Sequence, residues 1–292
     1  MKNEQCVIDN EQYILGTDKN GKVHYIKEVQ DIVFPIVLEI DRICRKNNIP
    51  YALGFGSCLG IVNYQGFIPW DDDADIVFNY EDLPRLVEAL KKDLAPEFVF
   101  DCYEVDERYN IFQPTIKIKN KNGPTMVDYN YKRMPDRIHS SDGFFVDMVA
   151  FMGVPDMKTL KKLIWRNKWR IPPYFFKDYI FKKDPLKLKA KMKAEEKKYA
   201  EDYKDAPYVT QTMILPFPKP KHNLFPREVI YPFKEYNFNG HKLYSFNKIE
   251  EFCKIFFGEG SLKRFDGEKY VDDFPMKKRH ALHIKSFDFG DK

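Results

Sequence analysis

Four carboxylates lie within five positions of this 292-residue chain, at Asp71, Asp72, Asp73 and Asp75. On an extended strand successive side chains alternate between faces, so Asp71, Asp73 and Asp75 are predicted to share one face while Asp72 points to the other. Like charges at this spacing raise one another's pKa unless a cation neutralises them, and the next Lys or Arg along the chain is Arg85. The acidic run therefore predicts a site for a hard divalent cation, Mg²⁺ or Mn²⁺, which prefers oxygen ligands.

Two further features extend this site. Asp147 interrupts an apolar run at 144–152, where an unpaired carboxylate would be costly, so it is predicted to be a third metal-side acid. Gly56 and Ser57 follow a predicted strand at 51–55 and can offer backbone N–H groups and a hydroxyl to phosphate oxygens. The combination indicates phosphoryl transfer, in which a cation neutralises a diphosphate and a carboxylate accepts the proton of an attacking hydroxyl.

A solvated turn or a calcium loop is the alternative interpretation of any short acidic run. Here the apolar segment Phe67–Trp70 precedes the acids and Ile76–Phe78 follows them. These flanks predict that the acids lie against a hydrophobic core, which favours the metal and phosphate site.

The elements that must position these residues are helices and strands in mixed order. Apolar spacing predicts a helix just after Pro35, ending near Asn47, and a second helix that follows Asp82. Towards the C-terminus, Asn247 and Glu250 predict a capping box at the start of a helix that ends at Gly258. Strands are predicted at 51–55, 73–78, 98–103, 111–119, 125–131 and 144–152, with a hairpin turn at 120–123 joining 111–119 to 125–131. The predicted fold class is α/β, a mixed sheet with flanking helices.

Composition narrows the class of protein. The chain has 48 Lys and Arg against 44 Asp and Glu, and 43% of its residues are hydrophobic, which is typical of a globular domain. Its five cysteines are scattered and never spaced as C-x-x-C, so neither a disulfide framework nor a zinc site is predicted. No nucleic-acid-binding signature occurs, and no nucleic-acid partner is expected. Because no apolar run approaches the roughly 18 residues of a membrane span, we expect a cytoplasmic protein, at most peripheral to the membrane.

The positive charge is concentrated in one segment. Residues 157–199 hold 15 Lys or Arg and 4 Asp or Glu, a local net charge of +11, which leaves −7 for the rest of the chain. Aromatic residues, among them Trp165, Trp169 and Phe176, alternate with the cations. The segment is either a solvated helical face or a surface that docks an anionic acceptor or the inner face of a membrane.

The segment from Leu59 to Ile76, which contains Gly-Phe-Ile-Pro-Trp-Asp-Asp-Asp-Ala-Asp-Ile, resembles the signature of the LicD family. This family comprises phosphocholine transferases, and its eukaryotic relatives include fukutin and fukutin-related protein. The chain differs from many of these relatives at Asn63 and Gln65, where they carry basic residues. The resemblance covers about residues 30–285 and includes further segments at 48–51, 117, 143–147, 225–238, 256–258 and His280.

The resemblance implies a nucleotidyltransferase-like core with additional helical segments. It also implies metal-dependent transfer of phosphocholine, or a close analogue, from CDP-choline or another CDP-linked donor, with release of CMP. The acceptor would be a hydroxyl of a cell-surface glycan, a lipid-linked glycan or a teichoic-acid precursor. The implied metal ligands and catalytic carboxylates are Asp73, Asp75 and Asp147, assisted at the metal by Asp71 or Asp72. The implied donor contacts are Gly56, Ser57 and Lys117, together with Trp70, for which a packing role is the alternative.

Four segments are expected: an N-terminal extension at 1–28, a catalytic core at 29–156, the basic helical segment at 157–206 and a C-terminal segment at 207–292 that completes the domain. Two alternative functions stay open. The same carboxylates would serve a nucleotidyltransferase that uses an NTP and attacks its α-phosphorus. The chain could also be a non-catalytic relative that binds glycans or membranes.

Overall fold

The computed structural model describes residues 13–17, 20–109, 111, 115–121, 125–128, 143–181, 183–212, 220–263 and 284–288. Its helices are α1 (Ile26–Lys46), α2 (Phe55–Tyr64), α3 (Leu83–Asp93), α4 (Met157–Phe175), α5 (Leu186–Asp202), α6 (Arg227–Ile230) and α7 (Ile249–Phe257). Its strands are β1 (Ile14–Thr17), β2 (Val23–Tyr25), β3 (Tyr51–Leu53), β4 (Asp75–Asn79), β5 (Phe98–Cys102), β6 (Ile116–Asn120), β7 (Thr125–Asp128), β8 (Phe145–Val154), β9 (Tyr208–Gln211), β10 (Phe225–Pro226), β11 (Lys234–Phe238), β12 (His241–Ser245) and β13 (Ile284–Asp288).

A nine-stranded mixed sheet organises the chain. The strand order is β10-β9-β8-β4-β3-β12-β11, and β6 also pairs with β8 and carries β5 on its outer edge. The long strand β8 has β4 parallel to it on one edge and both β6 and β9 antiparallel to it on the other. The predicted α/β class and the predicted buried strand at 144–152 are therefore confirmed.

The first helix begins earlier than the sequence pattern predicts. It starts at Ile26 and contains Pro35 in its interior, although a proline there costs about 3 kcal/mol. Ile26, Val29 and Val33 continue the buried face of the helix towards its N-terminus. Because burying each such side chain contributes about 1.5–3 kcal/mol, their burial outweighs the cost of the proline. The helix crosses the expected boundary at residue 28.

Two predicted local interactions are not found among the described residues. There the strand β7 pairs with β13 and not with β6, because the pairing partner of a strand is decided by distant chain segments as well as by the turn beside it. The helix α7 ends at Gly258 as predicted, but no side chain caps its start. Asn247 instead donates hydrogen bonds to the backbone oxygens of Glu228 and Tyr231.

The basic segment is helical, as predicted. It forms α4, a π-helical turn at Phe176–Ile180 and then α5. Asp156 begins α4 by accepting a hydrogen bond from the backbone N–H of Thr159 at 2.7 Å. Each helix in the part of the chain that the structure describes is too short or too polar to cross a lipid bilayer.

Candidate active site

Strand pairing brings the predicted acids together. The parallel register of β4 and β8 sets Asp75 beside Asp147, and the antiparallel register of β6 and β8 sets Lys117 beside Asp147. The backbone N–H of Asp147 donates a hydrogen bond to the backbone oxygen of Ala74 at 3.1 Å. Three neighbouring strands therefore converge on one point at the start of β4.

The carboxylates form two overlapping groups. Asp73, Asp75 and Asp147 each offer an oxygen within 4.8 Å of the others, and so do Asp71, Asp72 and Asp73. The prediction that Asp72 points away from its neighbours is wrong. Residues 71–74 precede β4 and have no regular secondary structure, so the alternation of a strand does not apply to them. Asp73 belongs to both groups and joins them.

The electrostatics of the site follow from this crowding. Burial raises the pKa of the Asp71 carboxyl well above its usual range, and the nearby charges of Asp73, Asp72 and Asp75 raise it further. A cation approaches from a different part of the chain: the Lys117 Nζ lies 3.0 Å from Asp147 Oδ1. This ammonium, whose pairing with Asp147 the spacing of charges along the sequence did not predict, neutralises part of the negative charge of the acids.

The donor set suits a hard divalent cation. Carboxylate oxygens are the ligands that Mg²⁺ and Mn²⁺ prefer, and each of the two groups offers three of them within 4.8 Å of one another. Asp73, Asp75 and Asp147 are the residues that would hold such an ion, with Asp71 and Asp72 beside them. The residues present therefore fit the predicted metal.

The start of α2 packs against the acidic run at 71–75. Gly56 and Ser57 lie in the first turn of this helix and not at the end of a strand, because β3 already ends at Leu53. The buried Ser57 Oγ accepts a hydrogen bond from the backbone N–H of Asp75 at 3.0 Å. A Cβ atom on Gly56 would lie 2.8 Å from Asp71 Oδ2, so only glycine allows that carboxylate its present approach. Both residues adjoin the acids, and their contacts with a donor stay predictions.

Trp70 packs inside the protein. Its side chain is 6% exposed, and its ring centroid lies 5.6 Å from that of Tyr13 and 5.8 Å from that of Tyr64. Aromatic rings in this range pack favourably with tilted or edge-on geometry. The contacts agree with the packing role that was the alternative, and a donor contact of Trp70 stays a prediction.

Gln30 is a site-forming residue that the motif analysis missed. This buried amide on α1 donates hydrogen bonds to the backbone oxygens of Ile68 at 3.0 Å and Asp71 at 2.9 Å. It thereby fixes the chain that leads into the acids. The signal was present in the sequence, since Gln30 lies between Val29 and Val33 on the apolar face of the helix.

The two positions that differ from many relatives hold α2 to the C-terminal segment. Asn63 Nδ2 donates to the backbone oxygen of Ser261 at 3.0 Å. Gln65 has a left-handed backbone, with φ of 55°, and its backbone oxygen accepts from the N–H of Asn239 at 2.8 Å. The Gln65 side chain also has a partner, since its Oε1 accepts from Asn237 Nδ2 at 3.2 Å. His280 lies outside the described residues.

Comparison with known proteins finds a family model that matches half of this chain. A family model described as LicD/FKTN/FKRP, nucleotidyltransferase domain, matches residues 48–194, a range that contains all five acids. The lipopolysaccharide cholinephosphotransferase LicD of Haemophilus influenzae is 24% identical over 132 residues, which are 45% of this chain and 46% of that protein.

Two rickettsial proteins without an assigned function are also similar. One from Rickettsia prowazekii is 33% identical over 107 residues, 36% of this chain and 38% of its own length. One from Rickettsia typhi is 35% identical over 72 residues, 24% of this chain and 23% of its own length. The aligned part of the chain thus spans less than half the length of each curated relative. Because the family model covers half of the sequence and includes the whole acidic site, the chain belongs to the LicD/FKTN/FKRP family.

Proposed function

We propose that the protein transfers phosphocholine, or a close analogue, from a CDP-linked donor to a hydroxyl of a cell-surface glycan or teichoic-acid precursor, with release of CMP. The observation that carries the proposal is the convergence of Asp73, Asp75 and Asp147 within 4.8 Å of one another. These acids lie inside the region matched by the family model. A relative is named as a lipopolysaccharide cholinephosphotransferase, which supports choline as the first substituent to test.

The reaction exchanges one phosphorus–oxygen bond for another. The acceptor oxygen forms a bond to the phosphorus that carries choline, and the bond from this phosphorus to the bridging oxygen breaks, so that CMP leaves with that oxygen. The acceptor proton passes to a carboxylate of the site. A divalent cation held by Asp73, Asp75 and Asp147 would supply neutralisation of the donor's phosphate charge.

The chain's own residues prepare this site. Gln30 and Ser57 hold the backbone on both sides of the acidic run, at Asp71 and at Asp75. Lys117 orients Asp147 through its ion pair and packs its Nζ 3.2 Å from the centre of the Phe145 ring. Such fixed neighbours reduce the reorganisation that a charged transition state would otherwise require. The location that we propose is the cytoplasm.

The proposal is tested by following both products. Purified protein is incubated with Mg²⁺, with CDP-choline labelled in the choline methyl groups, and with lipopolysaccharide or teichoic-acid preparations. We expect label in the polymer and an equal amount of CMP. Asp75→Asn should reduce the rate by at least about 100-fold, since it removes a ligand from the charge-stabilising site.

Asp202→Asn is the matched control, because Asp202 lies at the exposed end of α5 and pairs with Lys198. It should retain the wild-type rate. Pyrophosphate released from an NTP, without CMP from CDP-choline, would identify the nucleotidyltransferase alternative instead. Glycan binding that survives Asp75→Asn, with no turnover in the wild type, would indicate the non-catalytic alternative.

A further inference from the structure

Several cations of the basic segment form ion pairs with acids of the same protein. Arg170 and Arg166 of α4 lie 2.6 Å and 3.3 Å from the same carboxylate oxygen of Glu195 on α5. The buried Lys193 pairs with Glu104 and Glu196. These contacts join the two basic helices to each other and to the segment that follows β5. Because the local net charge of +11 already counts Glu195 and Glu196, Glu104 is the one acid of these pairs that offsets part of it.

A second group of cations lies on the exposed face of α4, and others are exposed on α5 and in the chain before it. This helix contains six Lys or Arg and no Asp or Glu. At 3.6 residues per turn, its exposed Lys and Trp side chains fall within an arc of roughly 120°. The members of this arc are Lys158, Lys161, Lys162, Trp165, Lys168 and Trp169.

Large apolar side chains occupy the same face. Trp165 and Trp169 are 63% and 65% exposed, and their ring centroids are 6.2 Å apart. The chain after α4 exposes Phe176, Ile180 and Phe181 as well. Of the eight large hydrophobic side chains that are exposed among the described residues, five therefore lie within residues 165–181. An apolar patch of this kind on a protein surface marks an interaction site.

We propose that this face, the α4 face, docks on the surface of an anionic lipid bilayer. Indole and phenyl rings settle at the headgroup level, where one side of the ring contacts acyl chains. Lysines beside them bind the phosphates of anionic lipids, each adding to the affinity. An acid-free helix that alternates Lys and Trp matches this surface in both charge and polarity. Docking depends on the α4 face and not on the proposed transfer reaction, so each can fail separately.

Co-sedimentation with vesicles tests the proposal. We expect the protein to bind phosphatidylglycerol-containing vesicles at low salt, and to bind pure phosphatidylcholine vesicles far more weakly. Lys161→Gln with Lys162→Gln should weaken binding roughly 30-fold, since each lysine near an anionic surface contributes about 1 kcal/mol. Lys91→Gln with Lys92→Gln, on the exposed side of α3, removes the same charge elsewhere and should leave binding nearly unchanged.

Tryptophan fluorescence gives a second readout of the same event. The chain has three tryptophans, and Trp70 is buried, so brominated lipids should quench Trp165 and Trp169. Trp165→Phe with Trp169→Phe should lose this quenching, while Trp165→Ala with Trp169→Ala should weaken binding roughly tenfold because apolar contact with the bilayer is lost.

Three outcomes would overturn the proposal. The first is an absence of binding to anionic vesicles at low salt, and the second is an equal loss of binding in the α3 and α4 lysine pairs. The third is self-association without vesicles that the tryptophan variants abolish, which would identify the α4 face as a contact between protein copies. Circular dichroism of every variant separates loss of docking from loss of folding.

Discussion

Asp73 is the residue at which the two carboxylate groups of the site meet. The sequence pattern predicted that the acids at 71–75 and Asp147 would gather, and the structure places them together. The sequence pattern could not predict the orientation of Asp72. Side chains alternate between faces only inside a strand, and β4 begins at Asp75. Nor could the pattern predict the pairing of Lys117 with Asp147, which depends on the register between two distant strands.

Gly56→Ala tests the close approach of α2 to the acids. A Cβ atom here would lie 2.8 Å from Asp71 Oδ2 and would displace that carboxylate. We expect transfer activity to fall roughly tenfold or more, since small displacements of catalytic groups are costly. Gly260→Ala is the control, because no atom lies within 4 Å of the added methyl group. Equal activity of the two variants would mean that Asp71 need not occupy its present position.

Gln30→Leu tests whether α1 positions the acidic run. The change leaves the backbone oxygens of Ile68 and Asp71 without this donor, and we expect a loss of about 1–3 kcal/mol in the free energy of unfolding. We also expect weaker Mg²⁺ binding, measured by the rise in Tm on addition of the ion. Gln211→Leu removes a buried amide that donates to Asn223, away from the acids. It should lower stability while keeping the response to Mg²⁺; the same reduced response in both variants would argue against a positioning role for Gln30.

At the scale of elements, runs of apolar residues predicted secondary structure better than local turn and capping signals did. The apolar run at 144–152 predicted β8 because a strand covered on both edges and both faces needs such a run. The predicted pairing of β6 with β7 and the predicted capping box at Asn247 were wrong, because β7 and Asn247 have other partners among the described residues. β7 pairs with β13, and the Asn247 amide donates to the backbone oxygens of Glu228 in α6 and of Tyr231 just after it. Local signals are overridden where a distant segment offers more burial or more hydrogen bonds.

Glu195→Gln tests the connection between α4 and α5. The change removes the negative charge that Arg166 and Arg170 share, and we expect the free energy of unfolding to fall by about 1–2 kcal/mol. Urea denaturation measures it. Glu88→Gln on α3 is the control, since Glu88 pairs with Lys91 but is 72% exposed, and its effect should stay within about 0.5 kcal/mol. Equal effects would show that the α4–α5 ion pairs contribute nothing specific.

At the scale of the whole molecule, the site and the α4 face are separate features of one chain. The sheet brings together Asp75 of β4 and Asp147 of β8. Gln30 of α1 and Ser57 of α2 fix the backbone of the acidic run at Asp71 and Asp75. The helices α4 and α5 then add a basic, aromatic surface whose inner charges are paired. The strand order could not be predicted from the sequence, because it depends on two pairings, β4 with β8 and β3 with β12, that join strands distant along the chain.

The most direct test of the account is calorimetric titration with CDP-choline, with and without Mg²⁺, which needs no knowledge of the acceptor. We predict binding in the presence of Mg²⁺ that is lost in its absence and in Asp75→Asn, while Asp202→Asn binds like the wild type. Binding of CDP-choline that is equally tight without Mg²⁺, or in Asp75→Asn, would contradict a metal-dependent donor site at these carboxylates.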